Sequence, residues 1–446
     1  MIKWRTRILR QVHLMGYSLR LLDVLRSLHA EEGDTVLVKD TGREYRGILM
    51  PHHEFSDPDV VVIKLKSGYN VGVKTGPGTT IEIVSKVQPK ERKPHHMHPA
   101  KDKKTVAVLG TGGTIASYVD YRTGAVHPAL SADDLVAAVP EIGDICNVRS
   151  EVIFSIFSEN MTVDHWQKLA GAVADRLNGG VDGCIIPHGT DTMGYTSAAM
   201  SFMLEGLTKP VVLVGAQRSS DRPSTDAHTN LVSSARFIVE SDAAGVYVLM
   251  HETSSDTAAA VHLGTKVRKM HTSRRDAFHS VNCSPVARIS FEGGIEYLAE
   301  HHKRSEGKVR LRDGMDANVA LLQFYPGMSP AAFESVLTSH HGVVIAGSGL
   351  GHVSKDMVTA IGKAIEAGTK VVMTSQCLYG RVNLNVYNTG RDLITAGVIS
   401  GEDMLPETAY VKLMWVLGQT SNDGEIRRLM ITDLRGEITE RREIDD

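Results

Sequence analysis

The sequence is short of several things, and each shortage closes a class of function. Its four cysteines, Cys146, Cys184, Cys283 and Cys377, lie far apart and form no C-x-x-C pair. That excludes a disulfide scaffold and a zinc ribbon, and it fits a reducing cytoplasm. No apolar stretch approaches the roughly 20 residues that cross a bilayer, so no membrane association is expected. Formal net charge is only −3 over 446 residues, which leaves no overall bias toward nucleic acid. Neither G-x-G-x-x-G nor G-x-x-x-x-G-K-[ST] occurs; "GLGHVSK" (349–355) comes nearest and misses the spacing, so no phosphate-cradling loop is expected. "HHMH" (95–98) has no carboxylate or cysteine beside it, and no metal site is expected.

What is present is a glycine-punctuated α/β texture, with 41 glycines, 42% hydrophobic residues and 5% aromatics. The length predicts two or three domains. "MIKWRTRILRQVHLMGYSLRLL" is basic, without acids, and lacks both a continuous apolar core and a small-residue cleavage site. Residues 1–32 are therefore read as a poorly ordered or helical extension. From 33 to 87 short strands (Thr35–Val38, Arg46–Met50, Val60–Leu65, Tyr69–Val73, Thr80–Val84) alternate with Gly, Pro and Asp turns, predicting a small all-β barrel. The charged, proline-containing stretch 88–104 reads as a linker.

From 105 strands alternate with helices. Val106–Leu109, Val152–Phe157, Gly183–Pro187, Val211–Val214 and Val246–Met250 are candidate buried strands, and Trp166, Leu169, Ala170, Val173 and Leu177 share one helical face. A second set has strands near 319–324, 343–347 and 370–374 and helices near 355–367 and 406–417, the first bracketed by Ser354 and Gly368. This alternation predicts mostly parallel sheets in two lobes, a larger one over 105–300 and a smaller one over 315–446.

Ligands of open α/β sheets bind beyond the carboxyl ends of strands, and three such ends carry polar clusters: "GTGGTIAS" (110–117), "PHGTDTMGYTS" (187–197) and the basic "GTKVRKMHTSRRDAF" (264–278), placed after the strand 246–250. They offer hydroxyls, one carboxylate and lysines. A hydroxyl nucleophile needs a base for its proton and donors for the oxyanion. Gly112 and Gly113 would let backbone N–H groups approach a substrate, leaving Thr114 facing it. Thr190 and Asp191 stand where a helix begins, a place that favours a carboxylate ligand. An ordinary turn and an ordinary helix cap are the competing readings of either loop alone. Of the histidines, His188 is read as bracing its loop, and the consecutive pairs, His52-His53 among them, as solvated. "RSSDRPSTD" (218–226) reads either as an anion-binding loop through Arg218 or Arg222, or as a surface loop capped by Asp226.

"TGGTIA" followed by "HGTDTM" resembles the two signature stretches of the bacterial-type L-asparaginase/glutaminase family, and the likeness runs over roughly 105–435. It implies an asparaginase-like α/β core with Thr114 as nucleophile and Thr190, Asp191 and Lys269 as the second threonine and its aspartate and lysine partners. Lys269 is placed by its position nine residues before Phe278, and Lys266 is the competing choice. Gly113, Tyr121 (a mobile-lid tyrosine), Ser158 (α-carboxylate binding), Glu159 and Gly189 would contact the substrate; Glu159 and Asn160 depart from the Gln or Ala and Asp commoner there.

The added barrel, "VGAQRSSDRPSTDAHTNL" (214–231) and the extended basic segment are similar to the D subunits of archaeal Glu-tRNA(Gln) amidotransferases. The resemblance implies L-glutamine as substrate and an E-type partner subunit that receives ammonia, binds tRNA(Gln) and uses ATP with magnesium. It further implies no cofactor in this chain, a homodimer core within a heterotetramer, and a cytoplasmic site. The alternatives are a free-standing asparaginase carrying an extra barrel and a non-catalytic RNA-binding protein on the same fold.

Overall fold

The computed structural model describes residues 17–50, 52, 57–65, 70–86, 100–112, 117–119, 126–128, 139–218 and 225–440, which fall into two compact units. In the first, antiparallel strands β1 (Thr35–Asp40), β2 (Arg43–Leu49), β3 (Val60–Leu65), β4 (Asn70–Lys74) and β5 (Thr80–Ser85) form one sheet in the order β4-β3-β2-β1-β5. Side chains alternate along each strand, so Val36, Val38, Leu49, Val61, Ile63, Val73 and Ile81 turn to one buried face. Thr41 and Gly42 close the first hairpin with both φ positive, 43° and 82°, which matches the twist of the strands they join.

The described part of the segment ahead of residue 33, residues 17–32, is not separate from this sheet. Helix α1 (Leu19–Ser27) presents Leu21 and Leu25 to the strands, and Tyr17 and Ala30 join the same core. Burying each leucine contributes about 1.5–3 kcal/mol. Ser18 Oγ donates to Asp59 (2.6 Å), and Arg20 donates to the carbonyls of Gly76 (2.6 Å) and Thr75 (2.8 Å). His52 departs from the solvated reading of its pair: it is buried, its ring 4.1 Å from that of Tyr17, filling core space a polar surface residue would leave empty. His53 and the linker motif "HHMH" lie outside the described residues.

The second unit is built on an eight-stranded sheet. In chain order its strands are β6 (Thr105–Gly112), β7 (Asn147–Ile156), β8 (Gly183–Pro187), β9 (Pro210–Val214), β10 (Gly245–His251), β11 (Ala258–Leu263), β12 (Ala287–Ser290) and β13 (Ile295–Tyr297); in space they run β13-β12-β11-β10-β9-β8-β6-β7. The neighbours from β7 to β10 are parallel and those from β10 to β13 antiparallel. β8 and β9 are buried along their whole length, as expected of strands covered on both faces. Helices α2 (Val163–Asn178), α3 (Met193–Met203) and α4 (Ala227–Glu240) supply the cover; α2 buries Trp166, Leu169, Ala170, Val173, Ala174 and Leu177.

The antiparallel half corrects the sequence reading. The basic stretch 264–278 does not follow β10 directly, because β11 intervenes. "AAAVHL" escapes notice as a strand because alanine has little strand preference.

The smaller lobe carries four parallel strands, β14 (Val319–Gln323), β15 (Gly342–Gly347), β16 (Lys370–Ser375) and β17 (Ile399–Ser400), with helices α5 (Pro330–Ser339), α6 (Lys355–Glu366), α7 (Pro406–Gln419) and α8 (Asp423–Ile431). Ser354 stands at the N-cap position of α6 without a side-chain cap bond, and Gly368 follows its end at φ 110°. Pro406 opens α7, where its missing N–H costs nothing. α7 packs on α3, with Phe202 and Trp415 stacked at 5.9 Å, so one apolar core is shared by both lobes. Among the described residues no helix is long and apolar enough to cross a membrane.

Candidate active site

The polar residues converge where β6, β7 and β8 end. Thr111 Oγ1 donates to Pro187 O (2.8 Å) and ties the ends of β6 and β8 together. Gly112 follows at φ 99°, and a Cβ there would lie 2.5 Å from Ile156 O, so only glycine lets β6 leave the sheet against the end of β7. Two residues beyond β7 begins the short 3-10 turn Ser158–Asn160, and beyond β8 the turn Thr190–Thr192, which leads into α3. Thr192 Oγ1 donates to Ser158 O (2.8 Å), joining the two turns.

Two further glycines set the spacing. A Cβ on Gly189 would fall 2.6 Å from Ser158 Cβ, and one on Gly215, just past β9, 2.7 Å from Thr190 Cγ2. "VGAQ" carries the signal for Gly215, but its contact is visible only in three dimensions.

Lys269 arrives from the opposite direction. After β11 the chain climbs along α3 toward its start: Ser197 Oγ donates to Gly264 O (2.6 Å), and Gly194 faces Val267 O. A short hairpin of Val267–Lys269 and Phe278–Ser280 then delivers Lys269 Nζ to Thr190 Oγ1 (2.8 Å) and Asp191 Oδ1 (2.7 Å). Lys266 goes elsewhere, its amine lying 2.6 Å from Asp403 Oδ2. Of the residues singled out from sequence, the structure thus brings together Thr190, Asp191, Lys269, Ser158 and Gly189. Glu159 is exposed in the 158–160 turn. Gly113, Thr114 and Tyr121 lie outside the described residues.

Thr190 and Ser158 are buried, whereas the Asp191 side chain is 69% exposed, so the cluster opens toward solvent on its carboxylate side. His188 is fully buried beneath it. Its Nδ1 faces Gly189 O at 2.7 Å, and since a carbonyl only accepts, that nitrogen carries the proton. Burial pushes the imidazole down to about 4, and among the described residues Nε2 has no hydrogen-bond partner, so His188 is neutral and braces its loop.

Asp226 behaves differently from a surface cap. It is fully buried and accepts from Gln217 N (3.0 Å) and Arg218 N (3.0 Å), holding the turn that begins with Gly215. Its side chain makes no cap bond into α4, because the loop's own N–H groups claim both oxygens. Arg222 lies outside the described residues. Among those described, no set of three His, Cys, Asp or Glu side chains is arranged to hold a metal.

Comparison with known proteins agrees with this geometry. The model of the asparaginase N-terminal domain matches residues 105–303, that of the glutaminase/asparaginase C-terminal domain residues 318–430, and that of the GatD N-terminal domain residues 30–84. The thermostable L-asparaginase of Thermococcus kodakarensis superposes with a TM-score of 0.68 at 32% identity, covering 76% of this chain and 100% of its own. L-asparaginase I of Vibrio cholerae gives 0.67 at 28% identity, covering 76% and 99%. Fold and site together define an amidohydrolase of the asparaginase class.

The relatives over the full length narrow this further. The glutamyl-tRNA(Gln) amidotransferase D subunit of Pyrococcus furiosus is 52% identical over 421 residues, 94% of each chain. The protein of that name from Methanosphaera stadtmanae is 45% identical over 428 residues, 95% of this chain and 97% of its own. The chain belongs to the family of glutamyl-tRNA(Gln) amidotransferase D subunits.

Proposed function

We propose that this chain hydrolyses L-glutamine and supplies the ammonia to a partner subunit that amidates Glu-tRNA(Gln). The observation that carries the reading is the Lys269 amine bonded to both Thr190 Oγ1 and Asp191 Oδ1, beside Ser158, in a chain 52% identical to a known amidotransferase component. Thr114 Oγ attacks the side-chain amide carbon, and backbone N–H groups at Gly112 and Gly113 steady the oxyanion. Ammonia leaves, and water activated at the Thr190–Lys269 pair cleaves the acyl-enzyme. Ser158 and Asp191 hold the substrate's α-carboxylate and α-amino group, and Tyr121 covers them.

In this reading ATP, magnesium and most tRNA contacts belong to an E-type partner, the chain itself needs no cofactor, and a homodimer forms the centre of a cytoplasmic heterotetramer. The match of residues 30–84 to the GatD N-terminal domain supports this over a free-standing asparaginase. The test is Thr114→Ala in the reconstituted complex. Glutamine-dependent amidation of Glu-tRNA(Gln) should vanish and return when ammonium chloride replaces glutamine. Persisting glutaminase turnover would refute the nucleophile, and failed rescue the division of labour.

A further inference from the structure

Lys266 and Lys269 lie on one short segment and face opposite ways. Side chains on an extended strand alternate, so Lys266 and Arg268 share one face and Lys269 takes the other. On the first face Lys266 meets Asp403 (2.6 Å) and Arg268 meets Glu407 (3.1 Å), two carboxylates four residues apart at the entry to α7 in the smaller lobe. On the second face the Lys269 amine meets Thr190 and Asp191.

The two faces differ in how firmly they hold. The Lys269–Asp191 pair joins an amine 14% exposed to a carboxylate 69% exposed. Such a half-exposed pair is weak because water screens it, and holding it orders a long, rotamer-rich lysine stem. It cannot by itself fix the amine. Lys266 and Asp403 are 1% and 7% exposed, where removing either partner strands a buried charge.

The surrounding bonds pin both ends of this clamp. Asp403 Oδ1 accepts from Thr439 N (2.9 Å). Thr265 donates to Arg435 O (3.1 Å) and accepts at its carbonyl from Thr408 Oγ1 (2.8 Å). Asn282, two residues past the hairpin and left-handed at φ 61°, donates to the carbonyls of Asp403 (3.1 Å) and Gly380 (3.0 Å). Among the described residues Glu407 Oε2 is buried without a hydrogen-bond partner, a cost that native folds seldom carry without cause.

We propose that Asp403 and Glu407 are positioning residues for Lys269: through Lys266 and Arg268 the smaller lobe fixes the hairpin whose other face presents that amine. The proposal rests on the role given to Lys269 above and adds that the smaller lobe sets the glutaminase rate within a single chain.

The test measures kcat and KM for glutamine hydrolysis by the full chain assembled with its E-type partner, normalised to folded protein. Arg268→Met, Glu407→Gln, the charge swap Arg268→Glu with Glu407→Arg, and Lys269→Met are compared. Each clamp single should lower kcat roughly 10- to 100-fold, as small misplacements of catalytic groups do, with KM within about twofold. The swap should restore most of the loss. Singles with unchanged kcat beside an inactive Lys269→Met, or a swap no better than the singles, would reduce the clamp to packing and overturn the proposal. An active Lys269→Met would remove the lysine's role, and the proposal with it.

Discussion

Both lobes of the core carry parallel strands whose carboxyl ends feed polar, glycine-containing loops, yet the side chains at those ends find different partners. In the smaller lobe they satisfy local backbone: Ser375 Oγ donates to Gly349 O (2.6 Å), Gln376 Nε2 to Ala346 O (3.1 Å) and Ser348 Oγ to His352 O (3.1 Å). In the larger lobe the Lys269 amine donates to both Thr190 and Asp191, with Asp191 open to solvent. Polar groups that close their own loops stabilise; groups that converge on each other keep hydrogen-bonding capacity for a substrate. The same βα construction thus yields a scaffold in one lobe and a reactive cluster in the other.

The comparison breaks most visibly at the two lysines. Lys269→Met should lower glutamine hydrolysis about 10²- to 10⁴-fold, the range of a lost proton-transfer group, while thermal unfolding barely moves. Lys266→Met strands the Asp403 carboxylate and should cost about 3–5 kcal/mol of stability, read from the midpoint of chemical denaturation. Were Lys266→Met as stable as the parent, the buried clamp would not hold the two lobes.

How far the sequence carried the reading follows from where its information sits. The apolar runs 106–109, 183–187 and 211–214 announce buried parallel strands, because strands covered on both faces need no alternation. Thr190, Asp191 and Ser158 stand in short motifs at strand ends, where geometry is local. Lys266 and Lys269 stayed ambiguous because the choice depends on Asp403, 137 residues from Lys266. For α1 the sequence left a poorly ordered and a helical extension both open, because its leucines acquire a buried face only against the sheet. The cap, one of two readings open for Asp226, misses that its backbone partners, the N–H groups of Gln217 and Arg218, precede it in the chain. Long-range contacts, not residue types, carried what the sequence hid.

Acid should separate the lobes next. In the larger lobe burial depresses His188 to about 4 and His262 to about 3. A base depressed in the folded state contributes stability that is complete above the ordinary imidazole range and is lost as pH falls below it, about 1.4 kcal/mol per pH unit for each. By pH 5 that amounts to about 2 kcal/mol per histidine. Beneath the smaller lobe, burial pushes the Glu437 carboxyl up, but the charge and hydrogen bonds of Lys412 outweigh it and hold it below the usual carboxylate range. Its contribution persists to lower pH. Hydrogen exchange at pH 7 and pH 5, corrected for intrinsic rates, should show protection lost in 183–187 and 258–263 while 406–431 keeps its own. Earlier loss in 406–431 would reverse the assignment.

The smallest effect sharpens the contrast at the level of one methyl group. Gly215→Ala would place a Cβ 2.7 Å from Thr190 Cγ2 and 3.2 Å from His188 O, so the threonine or its loop must shift. Gly362→Ala, in the middle of α6, would meet only Ala396 Cβ at 3.8 Å. The first should cut kcat by about tenfold through displacement of the Thr190–Lys269 bond, with little change in overall stability. The second should leave kcat untouched and raise stability by about 0.5–1 kcal/mol, the helical preference for alanine over glycine. The two variants carry the same chemical change, so any difference in turnover comes from what surrounds each Cα. Equal kcat in both would mean that the space over Thr190 is not reserved for the reaction, and the larger lobe's strand ends would then be scaffold like those of the smaller.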